Sequence, residues 1–281
     1  MILGKEKTVA DQIIELLGNH GAQSVTEILG RCVKINYAVT PQGVYRVLRQ
    51  LQEQNIVIKQ KKRYSLHISW LLDLSFFSDE TQKLYLQKEH LNQLIPREPK
   101  EKRIWHFTNL LKVMDFTSQL LLSLAASTSK PIALRYTPHA WEAMTDPYKA
   151  AHFTKQYLQL VEERYMVVGG QSYLDKYTHA ISDAAENDHV YLAHTDEVIE
   201  KDRCIAIDII DDYILSTVLD QTAADAIDTL YSEVHREEDM YLLDIFRVFA
   251  QSTKIKLVLK KDNEKARQYR RRFEYLFGPL K

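Results

Sequence analysis

The chain opens with apolar residues at helical spacing. In TVADQIIELL (8–17), Val9, Ile13, Leu16 and Leu17 recur every three or four positions, and Asn19 to Gly21 provide a stop. SVTEILGRC predicts a second short helix, opened by Ser24 with Glu27 three residues on, the spacing of a capping box. A third follows in TPQGVYRVLRQLQ. Thr40 is suited to the N-cap and Pro41 to the first helical position, where its missing N–H costs nothing. Val44, Val47, Leu48 and Leu51 form one apolar stripe, and Gln42, Tyr45, Arg46, Arg49 and Gln50 occupy the opposite face. After Asn55, the run IVIK, a polar tip QKKR and a second run YSLHI predict a β-hairpin.

Beyond residue 70 the pattern changes. In ETQKLYLQKEHLNQLIP, Leu84, Leu91 and Leu94 or Ile95 fall near heptad spacing over about two heptads. Two readings stand for this segment, a helix packed on its own chain and a dimer seam. REPKEKR (97–103), with Pro96 and Pro99, reads as a linker. From Ile104 helical and extended stretches alternate: helix 108–126, strand 131–136, helix 147–163, strand 164–168, helix 172–184, strand 189–193. CIAIDII and YILSTVL then flank Asp211 and Asp212 as a hairpin expected at a sheet edge. A helix over 222–250, the strand IKLVL (255–259) and a closing helix EKARQYRRRFEYLF complete the pattern. Strands separated by helices predict an α/β sheet that is mostly parallel at its centre. The expected organisation is therefore a winged helix-turn-helix domain over 1–75, a helical connector and linker over 76–103, and an α/β domain over 104–281.

Composition changes little in this picture. Hydrophobic content of 45%, charge of 27% and a formal net charge of −1 over 281 residues are those of an ordinary globular chain, so any basic character is local. Cys32 and Cys204 lie in no metal or CxxC spacing. MILGKEKT lacks a signal-peptide core, and the longest apolar run, LLLSLAAS (120–127), is far short of the roughly 20 residues that span a bilayer. A cytoplasmic protein with no membrane association is expected, with no cofactor or metal.

The local charge is concentrated. Arg46, Arg49, Lys59, Lys61, Lys62 and Arg63 crowd 27 residues opposed only by Glu53. Three helices followed by a hairpin is the winged-helix arrangement, in which the third helix lies in the DNA major groove and the wing follows the backbone. In that geometry Thr40, Gln42, Tyr45, Arg46 and Arg49 face the groove. Lys59, Lys61, Lys62 and Arg63 neutralise phosphates. Singly, each charge reads as an ordinary solvated surface residue; together, on the two elements a winged helix uses, they favour double-stranded DNA. A winged helix that binds only protein also fits the pattern.

TPQGVYRVLRQLQEQNIVIKQKKRYSLHISWL resembles the recognition helix and wing of prokaryotic winged-helix regulators, closest to the TrmB-like group and more loosely PadR and MarR. The likeness rests on T-P-Q-x-V-Y, R-x-L-x-x-L, the wing ending Tyr64-Ser-Leu, and Trp70. It covers about the first 70 residues. TrmB-like regulators often carry a C-terminal domain related to the phospholipase D fold, and KIKLVLKKDNEKARQYRRRFEYLFG and CIAIDIIDDYILSTVL are similar to its last strand and helix and its central hairpin. Active phospholipase D enzymes need H-x-K; none of the ten histidines here has Lys two residues on. The resemblance thus implies the fold without the catalysis.

Other chemistry is weaker. VVGGQSYL (167–174) has the strand-turn-Ser-helix order of a nucleophile elbow, but Leu174 stands where the second glycine is needed. Gly169 and Gly170 are expected to turn the chain sharply and aim helix N–H groups at an anion or sugar hydroxyl. His235, Glu238 and Asp239 have the spacing of metal ligands on a helix, which a charged helix face also produces. Arg267, Arg270, Arg271 and Arg272 read as a solvated helix face, with Arg271 one turn from Glu274. In a parallel sheet ligands bind beyond the strand C-termini. Thr137 and His139, Gly170, Gln171 and Ser172, and His194 and Asp196 lie there, as helix caps and turn residues or as a pocket for a small polar or anionic effector.

These expectations combine into a DNA-binding transcriptional regulator that reads its operator as a homodimer, with an α/β domain that dimerises and senses a ligand, and no enzymatic activity. The competing class is a nucleic-acid or phosphodiester enzyme that docks through the winged helix. A convergent nucleophile and base in the second domain would distinguish it.

Overall fold

Where apolar positions recur every three or four residues, the computed structural model folds helix, and where short β-branched runs are flanked by turns it folds strand. It describes residues 8–35, 39–86, 94–141, 144, 147–181, 185–194 and 197–280. The chain divides into two compact units, Met1–Tyr85 and Leu86–Lys281.

In the first unit, α1 (Val9–His20) starts at a capping box between Thr8 and Asp11 and stops at Gly21, whose φ of 68° suits glycine. A two-residue strand β1 (Gln23–Ser24) precedes α2 (Val25–Ile35), and α3 spans Pro41–Glu53. Strands β2 (Val57–Gln60) and β3 (Arg63–Leu66) form the hairpin, and β1 pairs on the far side of β3, giving the order β1-β3-β2. Ile13, Leu17, Ile28, Cys32, Val44, Leu48 and Tyr64 are buried together and form the core of this unit. The hairpin is shorter at its C-terminal end than the sequence predicts. His67 leaves the strand and its Nδ1 accepts from Ser69 N–H, and the chain turns directly into α4 (Ile68–Leu86). The heptad positions Leu84 and Leu91 fall outside the residues whose side chains are described.

The second unit is a seven-stranded sheet: β4 (Lys102–Phe107), β5 (Ala133–Thr137), β6 (Arg164–Val168), β7 (Asp188–Leu192), β8 (Ile205–Ile210), β9 (Tyr213–Leu219) and β10 (Ile255–Lys261). The order is β4-β10-β9-β8-β5-β6-β7. Only β5-β6-β7 pair in parallel; the other four pairings are antiparallel. The expected parallel centre is therefore corrected to a mixed, mostly antiparallel sheet, with the β8–β9 hairpin in the middle rather than at an edge. The expected helix over 222–250 is two helices, α8 (Gln221–Glu233) and α9 (Leu242–Ala250), with a short 3-10 turn at Glu237–Asp239 between them. That extra reversal brings β10 back antiparallel to β9, where a single helix would return it parallel. Edge strand β4 begins within the last two residues of the stretch read as linker, and its Trp105 and Phe107 rings lie 5.2 and 5.4 Å from the Phe116 ring. Its Lys102 and Arg103 are exposed, as suits an edge.

Helices cover both faces. Leu110, Leu120 and Leu124 of α5 (Leu110–Ala126), Ile227 and Tyr231 of α8, and Phe249 of α9 share one core with Leu257 and Leu259. Helices α6 (Pro147–Leu160) and α7 (Tyr173–Ile181) contribute Tyr157 and Leu174 to the same side. The opposite core is built on α10 (Asn263–Phe277), with Ala266, Tyr269 and Phe273 against Leu134, Val167, Ile207 and Ile209. Among the described residues no helix is long and apolar enough to cross a membrane.

Candidate nucleic-acid interface

Helix α3 is fixed from its N-terminus. The Thr40 hydroxyl accepts from Gly43 N–H at 3.1 Å, and Pro41 begins the first turn. Val44, Leu48 and Leu51 are buried, so Gln42, Tyr45, Arg46 and Arg49 are turned outwards, and all four are exposed, as is Thr40. The hairpin closes through a two-residue tip, Lys61–Lys62, between the paired Gln60 and Arg63. Lys61 has φ of 57°, a conformation an L side chain adopts at a cost.

Among the described residues Arg46, Arg49, Lys61 and Lys62 make no ion pair or side-chain hydrogen bond, and Lys59 only lies 5.4 Å from the Tyr64 ring centroid. Arg63 differs from its neighbours. Its guanidinium donates to the Ala22 carbonyl at 2.8 and 3.2 Å and lies 3.3 Å from a Glu27 carboxylate oxygen. Glu27 in turn accepts from Ser24 N–H and hydroxyl at 2.7 and 2.8 Å, and these bonds, ahead of the Arg63 charge, lower its pKa. Arg63 thus ties the hairpin to the start of α2. Glu27, 36 positions away in sequence, is the acid that a local count of charges misses.

In the second unit, the strand-end residues meet through a group the sequence reading omitted. Asp175, fully buried, accepts from Ser172 N–H (3.1 Å) and hydroxyl (2.8 Å), from Ala140 N–H (3.2 Å) and from His139 Nδ1 (3.1 Å). The other nitrogen of His139 lies 3.3 Å from Asp228, which is paired with Arg203. Ser172-x-x-Asp175 is itself capping-box spacing, the signal that could have found it. A Cβ on Gly170 would meet Asp175 Oδ2 at 2.3 Å, and one on Gly169 would meet the Tyr136 hydroxyl at 2.8 Å. These glycines leave room for close approach; neither has positive φ, so neither is there to turn the chain. Tyr136 is itself pushed up to about 12 by burial and by Glu200.

Helix α7 thus carries its own carboxylate at its N-terminus, and Gln171 is committed to the Leu192 carbonyl at 3.0 Å. His194 is exposed and its N–H donates to Glu197; Asp196 lies outside the described residues. Ser172 donates to Asp175 rather than to a histidine, and Leu174 is fully buried in the core. His235, Glu238 and Asp239 do not share a helix face, because Glu237–Asp239 is a 3-10 turn in which Asp239 accepts from His235 N–H and Arg236. Among the described residues no three potential metal ligands cluster. On α10, Arg272 donates to the Ile199 carbonyl and lies 5.8 Å from the Tyr269 ring centroid, holding the helix to its own domain.

No family model and no curated protein matches the chain. Among solved structures it is similar to TrmBL2, an archaeal chromatin protein described as showing a novel mode of DNA binding. The identity is 15% and the TM-score 0.32, over 97% of this chain and 92% of that one. It is also similar to NucT from Helicobacter pylori, at 12% identity and a TM-score of 0.36, over 62% of this chain and 95% of the other.

Proposed function

We propose that the chain is a DNA-binding transcriptional regulator whose first unit is a winged helix. Helix α3 enters the major groove and the β2–β3 tip lies along the phosphate backbone. The observation that carries this reading is the set of five exposed cations, Arg46, Arg49, Lys59, Lys61 and Lys62, on two elements of one small unit, none with a carboxylate partner among the described residues. Arginines that serve this fold are instead committed to acids or carbonyls, as Arg63, Arg164, Arg203 and Arg272 are. Unneutralised charge held on a rigid frame is what phosphate binding uses.

The regulator acts as a homodimer, with α4 as its seam. Ile68, Leu72 and Phe76 fall at i, i+4 and i+8 on one helix face, with Phe77 beside them, and all four are 63–70% exposed. An apolar row of this size is unusual on a soluble surface and fits a self-complementary helix pair. The second unit contributes no catalysis in this reading, which the commitment of Ser172 to Asp175 and the absence of H-x-K both support.

Competition between a selected duplex and random duplex tests the assignment of α3. Arg46→Ala and Arg49→Ala each remove about 1–3 kcal/mol of discrimination, because side chains at base edges carry sequence preference. Equal losses on both duplexes would refute a recognition role for α3.

A further inference from the structure

On the side of the sheet covered by α5, α6 and α9 there is a cavity of about 1190 Å³. Protein interiors hold few voids larger than a water molecule, and ligand pockets run to roughly 300–1,000 Å³, so a space this size is not a packing fault. Its walls include Leu111, Met114, Trp141, Phe153, Phe246 and Phe249. Its floor is charged. Arg135 on β5 and Arg164 on β6, whose side chains are 15% and 9% exposed, both line it.

Each guanidinium is held from the side by a buried acid. Arg135 donates to Asp208 at 3.0 Å, and Arg164 donates through Nε to Asp188 at 2.7 Å and through one terminal nitrogen to the same carboxylate. The remaining terminal nitrogen of Arg164, Nη1, has no partner among the described residues. On the wall, the Thr117 hydroxyl is buried and likewise has no partner. Among the described residues the lining also carries Lys149 and Lys155 of α6 and one carboxylate, Asp115, which lies 3.5 Å from Lys149 with both side chains exposed. With Asp208 and Asp188 behind the arginines, these four cations face three carboxylates among the described residues, and the buried positive charge nearest the apolar walls is that of the two guanidiniums. Burial also holds the neighbouring Tyr157 phenol far above its usual range, with Asp208 acting in the same direction, so it stays protonated.

We propose that this cavity binds an apolar organic anion, a carboxylate or sulfonate whose head meets Arg164 and whose body lies against α5 and α9. The buried carboxylates preorganise the guanidiniums in the charged state, and a low-dielectric surround strengthens their attraction for a ligand head. A cationic ligand of the same shape would meet like charge there, and a neutral one would forgo the charge-assisted bond. The cavity borders the strand-end cluster through Ala140, but His139, Gly170, Ser172 and Asp175 do not line it, and the proposal is independent of the DNA-binding reading.

Calorimetric titration of the full chain with decanoate, decanol and decylamine tests it. Saturable binding of decanoate at one site per chain is expected, with the alcohol and the amine at least about tenfold weaker, the difference one charge-assisted contact supplies. Met166 faces the cavity from β6, two residues along the same strand face from Arg164, and Met166→Trp, which crowds the space beside that guanidinium, should weaken decanoate binding at least tenfold; Arg164→Gln should do the same. If Arg164→Gln fails to fold, the decision falls to Met166→Trp together with the ligand series. Absence of saturable decanoate binding, equal affinity for all three ligands, or affinity undiminished by Met166→Trp would overturn the proposal.

Discussion

Removing the two lysines at the hairpin tip gives the sharpest numerical consequence of the interface. Lys61 and Lys62 form the whole loop between Gln60 and Arg63, both are exposed, and neither has a partner among the described residues. Alanine at either position leaves the hairpin register to β2, β3 and the Arg63 bonds to Ala22. The expected loss is therefore electrostatic rather than structural. Each phosphate contact contributes a slope of about 0.9 to the fall of log K with log salt. Lys61→Ala with Lys62→Ala removes about 1.8 from the slope of one chain on DNA, and about 3.6 from a dimer that places both tips. Between 50 and 200 mM salt the wild-type dimer should lose roughly a hundredfold more affinity than the double variant; for a monomer the excess is about tenfold. Fluorescence anisotropy on a random duplex at four or five salt concentrations reads this directly. An unchanged slope would place the tip off the DNA. A lost preference between duplexes with an unchanged slope would mean that the tip reads bases.

Two further outcomes probe the frame. Phe76, 70% exposed on α4, would bury roughly 100–170 Å² in a helix pair, or about 2.5–4 kcal/mol per chain. Because both chains of the pair lose it, Phe76→Glu should weaken self-association by about four orders of magnitude or more in sedimentation, and an unaltered dimer would remove α4 from the interface. Gly170→Ala places a Cβ where Asp175 already sits, and should cost about 1–3 kcal/mol in chemical denaturation. A neutral result there would mean that the strand-end loops yield more easily than their hydrogen bonds imply.

What the sequence disclosed was whatever is decided within a few residues. The Thr40–Pro41 start of α3, the Val44, Leu48 and Leu51 stripe and the polar tip of the hairpin all rest on local spacing, and each lies where the pattern places it. Contacts between distant segments were not readable. The two-residue β1 is too short to show a period, and β4 was hidden because Lys102 and Arg103, the cations that protect a sheet edge, also resemble a linker after Pro99. The parallel centre fails on two features: the β8–β9 hairpin sits in the middle of the sheet with β8 antiparallel to β5, and residues 234–241 interrupt the expected helix, so that the second helix reverses β10. At the strand ends the sequence singled out His139, Gly170 and Ser172 but not Asp175, the buried group that joins them. Arg63 reads as one more DNA-facing cation from local charge alone because Glu27, its partner, lies on another element. The cavity above Arg164 had no signal in the pattern at all, since periodicity reports which residues are covered and not what space the cover encloses.

In the proposed function α3 and the wing read a DNA sequence as a symmetric pair. Selection of duplexes from a random pool with the purified chain, followed by sequencing, measures it most directly. Enrichment of an inverted repeat whose half-sites are centred about one helical turn apart is expected, as is loss of that enrichment in the Arg46→Ala, Arg49→Ala double variant. A pool that stays random through successive rounds, or a motif that survives the double variant, would contradict it.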